Sequence, residues 1–521
     1  MKSQSLRLWV TLLAMAGMFT LADAAPARGQ RPVKQDLGSG PRVNPLTRYP
    51  TRSYIVMAKS ENLPPGLVEK IGQARGRVIR TLPGLGMLVA ESNNPFFAGQ
   101  VQQSSDVQSV VPDLMLQWIE PAGGEPDMII EADGYPPEVD LEDVLQPLQW
   151  ALQAINAPDA WALGAKGTGV RVAVLDTGID PYHPDLDGQV DFASAKSFVV
   201  DETGKPEDWI ADPYEGAGIF GEFHGTHVAG IIAASQNDIG TVGVAPEAQI
   251  IPVKVLNKAG LGRISNLIQG LAYVAELEPR VDVANMSLGA YLKRGGFVSD
   301  NGTPDDPTDD FWVSAKEVAQ LILLLRRATG LANRSGITLI AAAGNSALDF
   351  DRDKNWIMIP AQLPHVISVS ATAPDLWALD PQTDLDVPTS YTNYGESGVD
   401  MAAPGGDYDM QYTDEGQQRV DVPPVSGAKA YVYDYVLAPI AQIEIDGQTV
   451  PRWWWVAGTS MASAHVSGVA ALVIGQHGGS LHPNTVEQIL IESADDLGPV
   501  GIDPYYGQGR VNALKAVLMS H

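Results

Sequence analysis

The chain has 521 residues and carries 62 acidic against 34 basic side chains, a formal charge of −28 at neutral pH. With 45% apolar and 18% charged residues the composition is that of a globular protein, long enough for two or three folded units. The acidic balance and the absence of a basic run exclude a nucleic-acid partner, and the lack of any cysteine excludes disulfides, thiolate metal sites and a thiol nucleophile.

Lys2 and Arg7 precede an apolar stretch over residues 8–22, and Ala22-Asp23-Ala24 supplies the small residues that a signal peptidase selects. The stretch falls short of the ~20 residues that span a bilayer, so residues 1–24 read as an export signal. The mature chain is then expected to be secreted, extracellular or periplasmic, without membrane contact. Residues 25–50, rich in Pro, Gly and Arg, read as a tether. Across residues 51–118, β-rich runs (54–57, 77–82, 86–90, 107–111) alternate with helical stretches near Leu67 and Phe97, a β-α-β-β-α-β order. Residues 119–145 follow as a linker; from Glu120 onward they hold nine acidic side chains and no basic one, the composition of an exposed, protease-accessible segment.

From residue 146 to the end, apolar strands (170–175, 250–256, 281–288, 337–343, 366–371) alternate with helical patterns (224–235, 267–276, 313–329, 460–476). That alternation predicts an α/β domain whose mostly parallel sheet is covered on both faces, with functional groups beyond the carboxyl ends of its strands. Stretches near 201–222, 291–311 and 405–455 interrupt the rhythm and read as surface insertions. In the last, Tyr431, Tyr433 and Tyr435 alternate as in a half-buried strand, and Trp453-Trp454-Trp455 is expected to fill core.

Four positions carry chemistry. Asp176 closes the strand 170–175 and precedes Thr177-Gly178, which puts a carboxylate at a strand end, suited to orienting a base. His224 opens His224-Gly225-Thr226-His227, whose small residues let a helix pack closely and its first imidazole face a cleft. His224 and His227 as an i, i+3 metal pair lack a third ligand nearby. Ser460, in Gly458-Thr459-Ser460-Met461-Ala462, stands at the start of an apolar helix as a nucleophile or a cap. Asn345, after Gly344 at the end of 337–343, presents an amide at the same sheet edge or simply makes a turn.

The order Asp, His, Ser and the motifs Asp176-Thr177-Gly178, His224-Gly225-Thr226-His227 and Gly458-Thr459-Ser460-Met461-Ala462 closely resemble the subtilisin-like serine proteases (subtilases, peptidase family S8). Ser287-Leu288-Gly289, Ser390-Tyr391-Thr392-Asn393-Tyr394-Gly395 and Asp400-Met401-Ala402-Ala403-Pro404-Gly405 extend the likeness over residues 146–521, apart from the insertions. Ala464 departs from the proline usual in the family. The resemblance implies a subtilisin-like three-layer fold, with residues 51–118 as a small α+β, ferredoxin-like propeptide of the inhibitor I9 type.

It further implies a zymogen of a serine endopeptidase that acts on protein or peptide substrates and is inhibited by its own propeptide until it removes it. Ser460 would be the nucleophile, His224 the base, Asp176 its orienting acid and Asn345 an oxyanion donor. Gly260, Gly262, Ser287, Leu288 and Gly289 would bind the substrate strand. Ala361, with Trp356-Ile357-Met358, would line the primary pocket for a large apolar or aromatic side chain. A structural calcium ion is implied at Gln146, Asp185, Ser235, Asn237, Ile239 and Thr241, with no organic cofactor, and a monomer is expected. An inactive binding protein on the same fold, and a transpeptidase using the same acyl-enzyme, are the alternative readings.

Overall fold

The computed structural model describes residues 51–119, 129–131, 145–201, 204–212, 221–445 and 448–520. The expected signal (1–24), the tether (25–50) and most of the linker lie outside these residues.

The first unit runs β1 (Arg52–Ala58), α1 (Leu67–Gln73), β2 (Gly76–Leu82), β3 (Met87–Ser92), α2 (Phe97–Gln102) and β4 (Val107–Pro112). Its antiparallel sheet has the order β2-β3-β1-β4. Strand β1 shows how one sequence serves two cores, since neighbouring side chains point to opposite faces. Tyr54 and Val56 bury against Leu67, Ile71, Phe97 and Val101 of the two helices, whereas Ile55 and Met57 join the core of the larger domain. Two short strands follow, β5 (Met115–Gln117) and β6 (Ile129–Glu131).

The larger domain begins with α3 (Trp150–Ala154) and α4 (Ala157–Ala162), then β7 (Arg171–Asp176), β8 (Lys196–Ser197), α5 (Gly221–Ala233), β9 (Gln249–Lys254), β10 (Leu261–Arg263), α6 (Ile264–Glu276) and β11 (Val283–Met286). After β12 (Ala290–Lys293), β13 (Gly296–Ser299) and β14 (Phe311–Ser314) come α7 (Ala315–Arg334), β15 (Thr338–Ala342), β16 (Trp356–Ile359), β17 (Val366–Ala373), β18 (Val387–Pro388) and β19 (Met401–Pro404). The chain ends with β20 (Arg419–Val422), β21 (Val425–Lys429), β22 (Val436–Ile445), β23 (Gln448–Val456), α8 (Thr459–Gln476), α9 (Pro483–Glu492) and α10 (Ala513–Met519).

The central sheet has the order β18-β17-β15-β11-β7-β9-β8, with β19 also on β17. Every pair in it is parallel except β17 with β18. Alternation along β7 defines the layers: Val172 and Val174 pack with residues of α5 and α8, Ala173 and Leu175 with residues of α6 and α7. This is the α/β, mostly parallel three-layer architecture expected. Helix α8 is apolar all round and buried through its first sixteen residues, from Thr459 to Ile474, so it is a core helix. Helix α7 starts two residues later than the pattern predicts, because Ser314 and Glu317 form a reciprocal capping box that fixes its first turn.

The insertion differs from expectation. Residues 430–434 form a 3-10 turn, not a strand, and Tyr431, Tyr433 and Tyr435 are all buried. The insertion's extended segments are the β20–β21 pair and the longer antiparallel hairpin of β22 and β23, whose outer edge pairs with β6. The three tryptophans do fill core, at 1%, 5% and 0% exposure. They bury on both faces of β23: Trp454 packs on Phe223 of α5 with ring centres 4.8 Å apart, and Trp455 meets Tyr433 edge-on at 5.5 Å.

Candidate active site

Parallel strands deliver their last residues to one edge of the sheet. Asp176 is the final residue of β7, and its two carboxylate oxygens lie 2.9 and 3.0 Å from His224 Nδ1. Both residues are buried. Oδ1 also accepts the Thr177 backbone N–H at 2.7 Å, which fixes the carboxylate in place. An imidazole whose Nδ1 faces a carboxylate carries its proton there, leaving Nε2 as the acceptor. Gly225 makes the approach possible: a Cβ there would overlap the Gly178 carbonyl oxygen and sit 3.2 Å from the Asp176 side chain.

Ser460 is the second residue of α8. Its hydroxyl donates to the Ser287 carbonyl oxygen at 3.2 Å, while its own carbonyl accepts from Ser287 Oγ at 2.7 Å and Ser463 Oγ at 3.0 Å. Beneath it, Asn285 Nδ2 donates to Ser287 Oγ at 2.9 Å and Ser467 Oγ to Asn285 Oδ1 at 2.8 Å. Ser463, Ser467 and Asn285 were not singled out for this role by sequence. The signal available was the set Ser460, Ser463 and Ser467, one face of an otherwise apolar helix.

Asn345 is oriented by Thr459, whose backbone N–H and hydroxyl donate to Asn345 Oδ1 at 3.0 and 2.7 Å. With the amide oxygen held this way, Nδ2 faces the Gly458 end of α8, 3.5 Å from where a Gly458 Cβ would lie. Asn393 supports the same loop: its Oδ1 accepts the Leu348 N–H at 2.9 Å and its Nδ2 donates to the Ala343 carbonyl at 2.7 Å. His227, three residues beyond His224, is turned away and held neutral. Burial pushes its protonation down to about 3, and its Nε2 bonds the Trp454 carbonyl at 3.0 Å.

The segments around Gly260 and Gly289 are occupied by the chain itself. Strand β5 pairs antiparallel with β10, setting Gln117 opposite Leu261 and Leu116 opposite Gly262. Trp118 then donates its N–H to the Gly260 carbonyl at 3.0 Å and accepts the Gly289 N–H at 2.8 Å, bridging the two segments. Its indole is 1% exposed, packs with Leu256 and Leu288, and donates to the Gly262 carbonyl at 2.8 Å. Asp113 aims this tail by capping α6, accepting Ser265 N–H at 2.9 Å and Ser265 Oγ at 2.7 Å. Ala361 is buried nearby, but the space between Gly289 and Gly344 is filled by Met358. A Gly289 Cβ would overlap the Met358 methyl, and a Gly344 Cβ would lie 2.8 Å from it. That filling runs against the expected wide primary pocket.

Of the six residues implied for calcium, five gather at one loop. Ser235 N–H donates to the Asp185 carbonyl at 2.7 Å, Asn237 Nδ2 to the Pro184 carbonyl at 2.9 Å, and Thr241 N–H and Oγ1 to Asp185 Oδ2 at 2.9 and 2.6 Å. Ile239 donates its N–H to Asn237 Oδ1 at 3.2 Å. Gln146 is half-buried in the preceding turn. The amide that reaches the loop is that of Gln149, which exchanges hydrogen bonds with the Val242 backbone at 3.0 and 2.9 Å. A calcium ligand must present lone pairs. Asp185 Oδ2 accepts a third donor, the Trp453 indole N–H at 2.7 Å.

A carboxylate in contact with an imidazole, and a hydroxyl and an amide at the start of α8, are the kinds of group a serine-type hydrolase uses. The subtilase family model matches residues 167–509, and the chain belongs to the subtilase family, the serine-type endopeptidases of peptidase family S8. It is 32% identical to an intracellular serine protease of Paenibacillus polymyxa over 64% of this chain and 74% of that one. It is 31% identical to subtilisin Savinase of Lederbergia lenta over 71% of this chain and 98% of that one. Among solved structures, the epidermin leader peptide processing serine protease of Staphylococcus aureus shares the fold at a TM-score of 0.66 and 19% identity, covering 91% of this chain and 100% of that one.

Proposed function

We propose that this chain is the exported precursor of a serine endopeptidase whose N-terminal unit fills its own substrate channel and is removed by the enzyme itself. The observation that carries the reading is the bridging of Gly260 and Gly289 by the Trp118 backbone, with Gly289 two residues along the chain from Ser287, whose carbonyl accepts the Ser460 hydroxyl. A peptide substrate would add to β10 in the same way, by main-chain hydrogen bonds that tolerate many sequences. Its carbonyl is attacked by Ser460 Oγ once the hydroxyl turns from the Ser287 carbonyl toward His224 Nε2, which takes the proton. Asp176 stays ionised and stabilises the imidazolium, which then protonates the leaving amine. Asn345 Nδ2 and the Ser460 N–H stabilise the oxyanion. Among the described residues no helix is long and apolar enough to cross a membrane.

The test is mass analysis of the products that wild type and Ser460→Ala release from an unfolded protein, with and without an added amine. New free carboxyl ends from wild type alone support hydrolysis. Products carrying the amine to the exclusion of free acids would make the chain a transpeptidase, and no products once the N-terminal unit is trimmed away would make it a binding protein.

A further inference from the structure

We infer that the loop after α5 is locked by the inserted hairpin, with the Trp453 indole N–H serving Asp185 in place of a cation. The 3-10 turn Pro184–Leu186 presents two buried side chains to β23. His183 Nδ1 accepts the Asp185 backbone N–H at 3.2 Å, so its proton sits on Nε2 and is donated to the Arg452 carbonyl at 3.0 Å. Two residues on, Asp185 Oδ2 accepts the Trp453 indole at 2.7 Å together with the N–H and hydroxyl of Thr241. One carboxylate oxygen therefore ties the strand-end turn, the loop after α5 and the hairpin together. The indole also stands edge-on to the His183 ring, centres 5.0 Å apart at 87°.

The loop is shaped to the indole. Gly240 has φ +63°, and a Cβ there would overlap Asp185 Oδ1 and lie 2.5 Å from Trp453 Cε2, so only glycine lets the loop close over the ring. The Gly240 carbonyl in turn accepts the Leu145 N–H at 2.8 Å, which ties in the start of the larger domain. A buried carboxylate is costly unless its charge is met by donors, and an indole, a hydroxyl and an amide all fall on Oδ2 here. Asp185 thus anchors the hairpin through that oxygen.

The test uses the full-length Ser460→Ala chain, which cannot digest itself, melted at a fixed scan rate in excess chelator and in millimolar calcium chloride. Trp453→Phe, which keeps the ring and loses the N–H, is expected to melt several degrees lower in both buffers. Asp185→Asn is expected to melt lower by a similar amount, with Trp453→Phe adding little on top of it. Any calcium-induced rise in the parent is expected to survive in Asp185→Asn unchanged. A rise that disappears in Asp185→Asn overturns the inference, as does a Trp453→Phe chain that melts like its parent. If Trp453→Phe does not fold, the calcium response of the parent against that of Asp185→Asn decides the matter alone.

Discussion

Gly225→Ala sets two physical effects against each other beside the Asp176–His224 pair. Gly225 lies inside α5, where alanine is the better helix former by ~0.8–1 kcal/mol, so local propensity alone predicts a more stable protein. The structure predicts the opposite. The added methyl would overlap the Gly178 carbonyl oxygen, and it would press on Asp176 Cβ and Oδ1 at 3.2 Å. Restoring normal contact requires roughly 1 Å of movement between α5 and the end of β7. Overpacking of that kind costs ~1–3 kcal/mol, so after the helix gain a net loss of up to ~2 kcal/mol remains. The same displacement falls on the Asp176–His224 contact, where ~1 Å of misplacement costs ~10²-fold in turnover. The assay is kcat on a small peptide substrate with the active form, together with the melting temperature in the Ser460→Ala background. A variant with parental kcat and a raised melting temperature would refute the reasoning, because it would show that the close approach of α5 to Gly178 does no positioning.

Trp118→Ala in the Ser460→Ala background removes a buried indole worth ~3–5 kcal/mol, which lowers hydrogen-exchange protection of the Gly289 amide by ~10²–10³-fold; undiminished protection would show that the tail is held elsewhere. Met358→Gly empties the space beside Gly289 and Gly344, and profiling with peptide libraries should then show a shift toward larger side chains before the cleaved bond, whereas an unmoved preference would take Met358 out of the pocket. Asp434 accepts the Leu376 and Trp377 N–H groups at 2.8 Å each, and burial pushes its carboxyl up to about 8. The folded chain therefore keeps a proton that the unfolded chain loses near 4, and stability drains away as pH rises between those values. Asp434→Asn should flatten the fall in stability by about 1.4 kcal/mol per pH unit across that window, measured by urea unfolding of the Ser460→Ala chain; identical slopes would place the ionised carboxylate in the fold.

The strands and helices of the main sheet were legible because each is a continuous run of apolar and small residues, as β7, β17 and α8 are. The placement of Asp176 and Asn345 was legible for a related reason: in a parallel sheet the residues that close an apolar run arrive at the shared edge. The insertion was not. Alternating tyrosines at 431, 433 and 435 imitate a strand, yet the segment is covered on all sides and turns as a 3-10 helix, so period two carried no information there. Three consecutive tryptophans cannot all lie on one face of a strand, and only the fold shows that β23 is buried on both. The calcium positions came from the family resemblance, which does not reveal that an indole from a residue 268 positions later reaches an Asp185 oxygen.

The central claim is that Ser460 is an activated nucleophile which frees itself from its own N-terminal unit. The most direct measurement is the intact mass and N-terminal sequence of wild type and Ser460→Ala, each before and after exposure to a serine-directed fluorophosphonate. The account predicts a wild-type chain that begins between residues 120 and 146 and carries one adduct on Ser460, beside a Ser460→Ala chain that stays long and unlabelled. A wild type that keeps its N-terminal unit, and takes no label even after that unit is trimmed away by another protease, would contradict it.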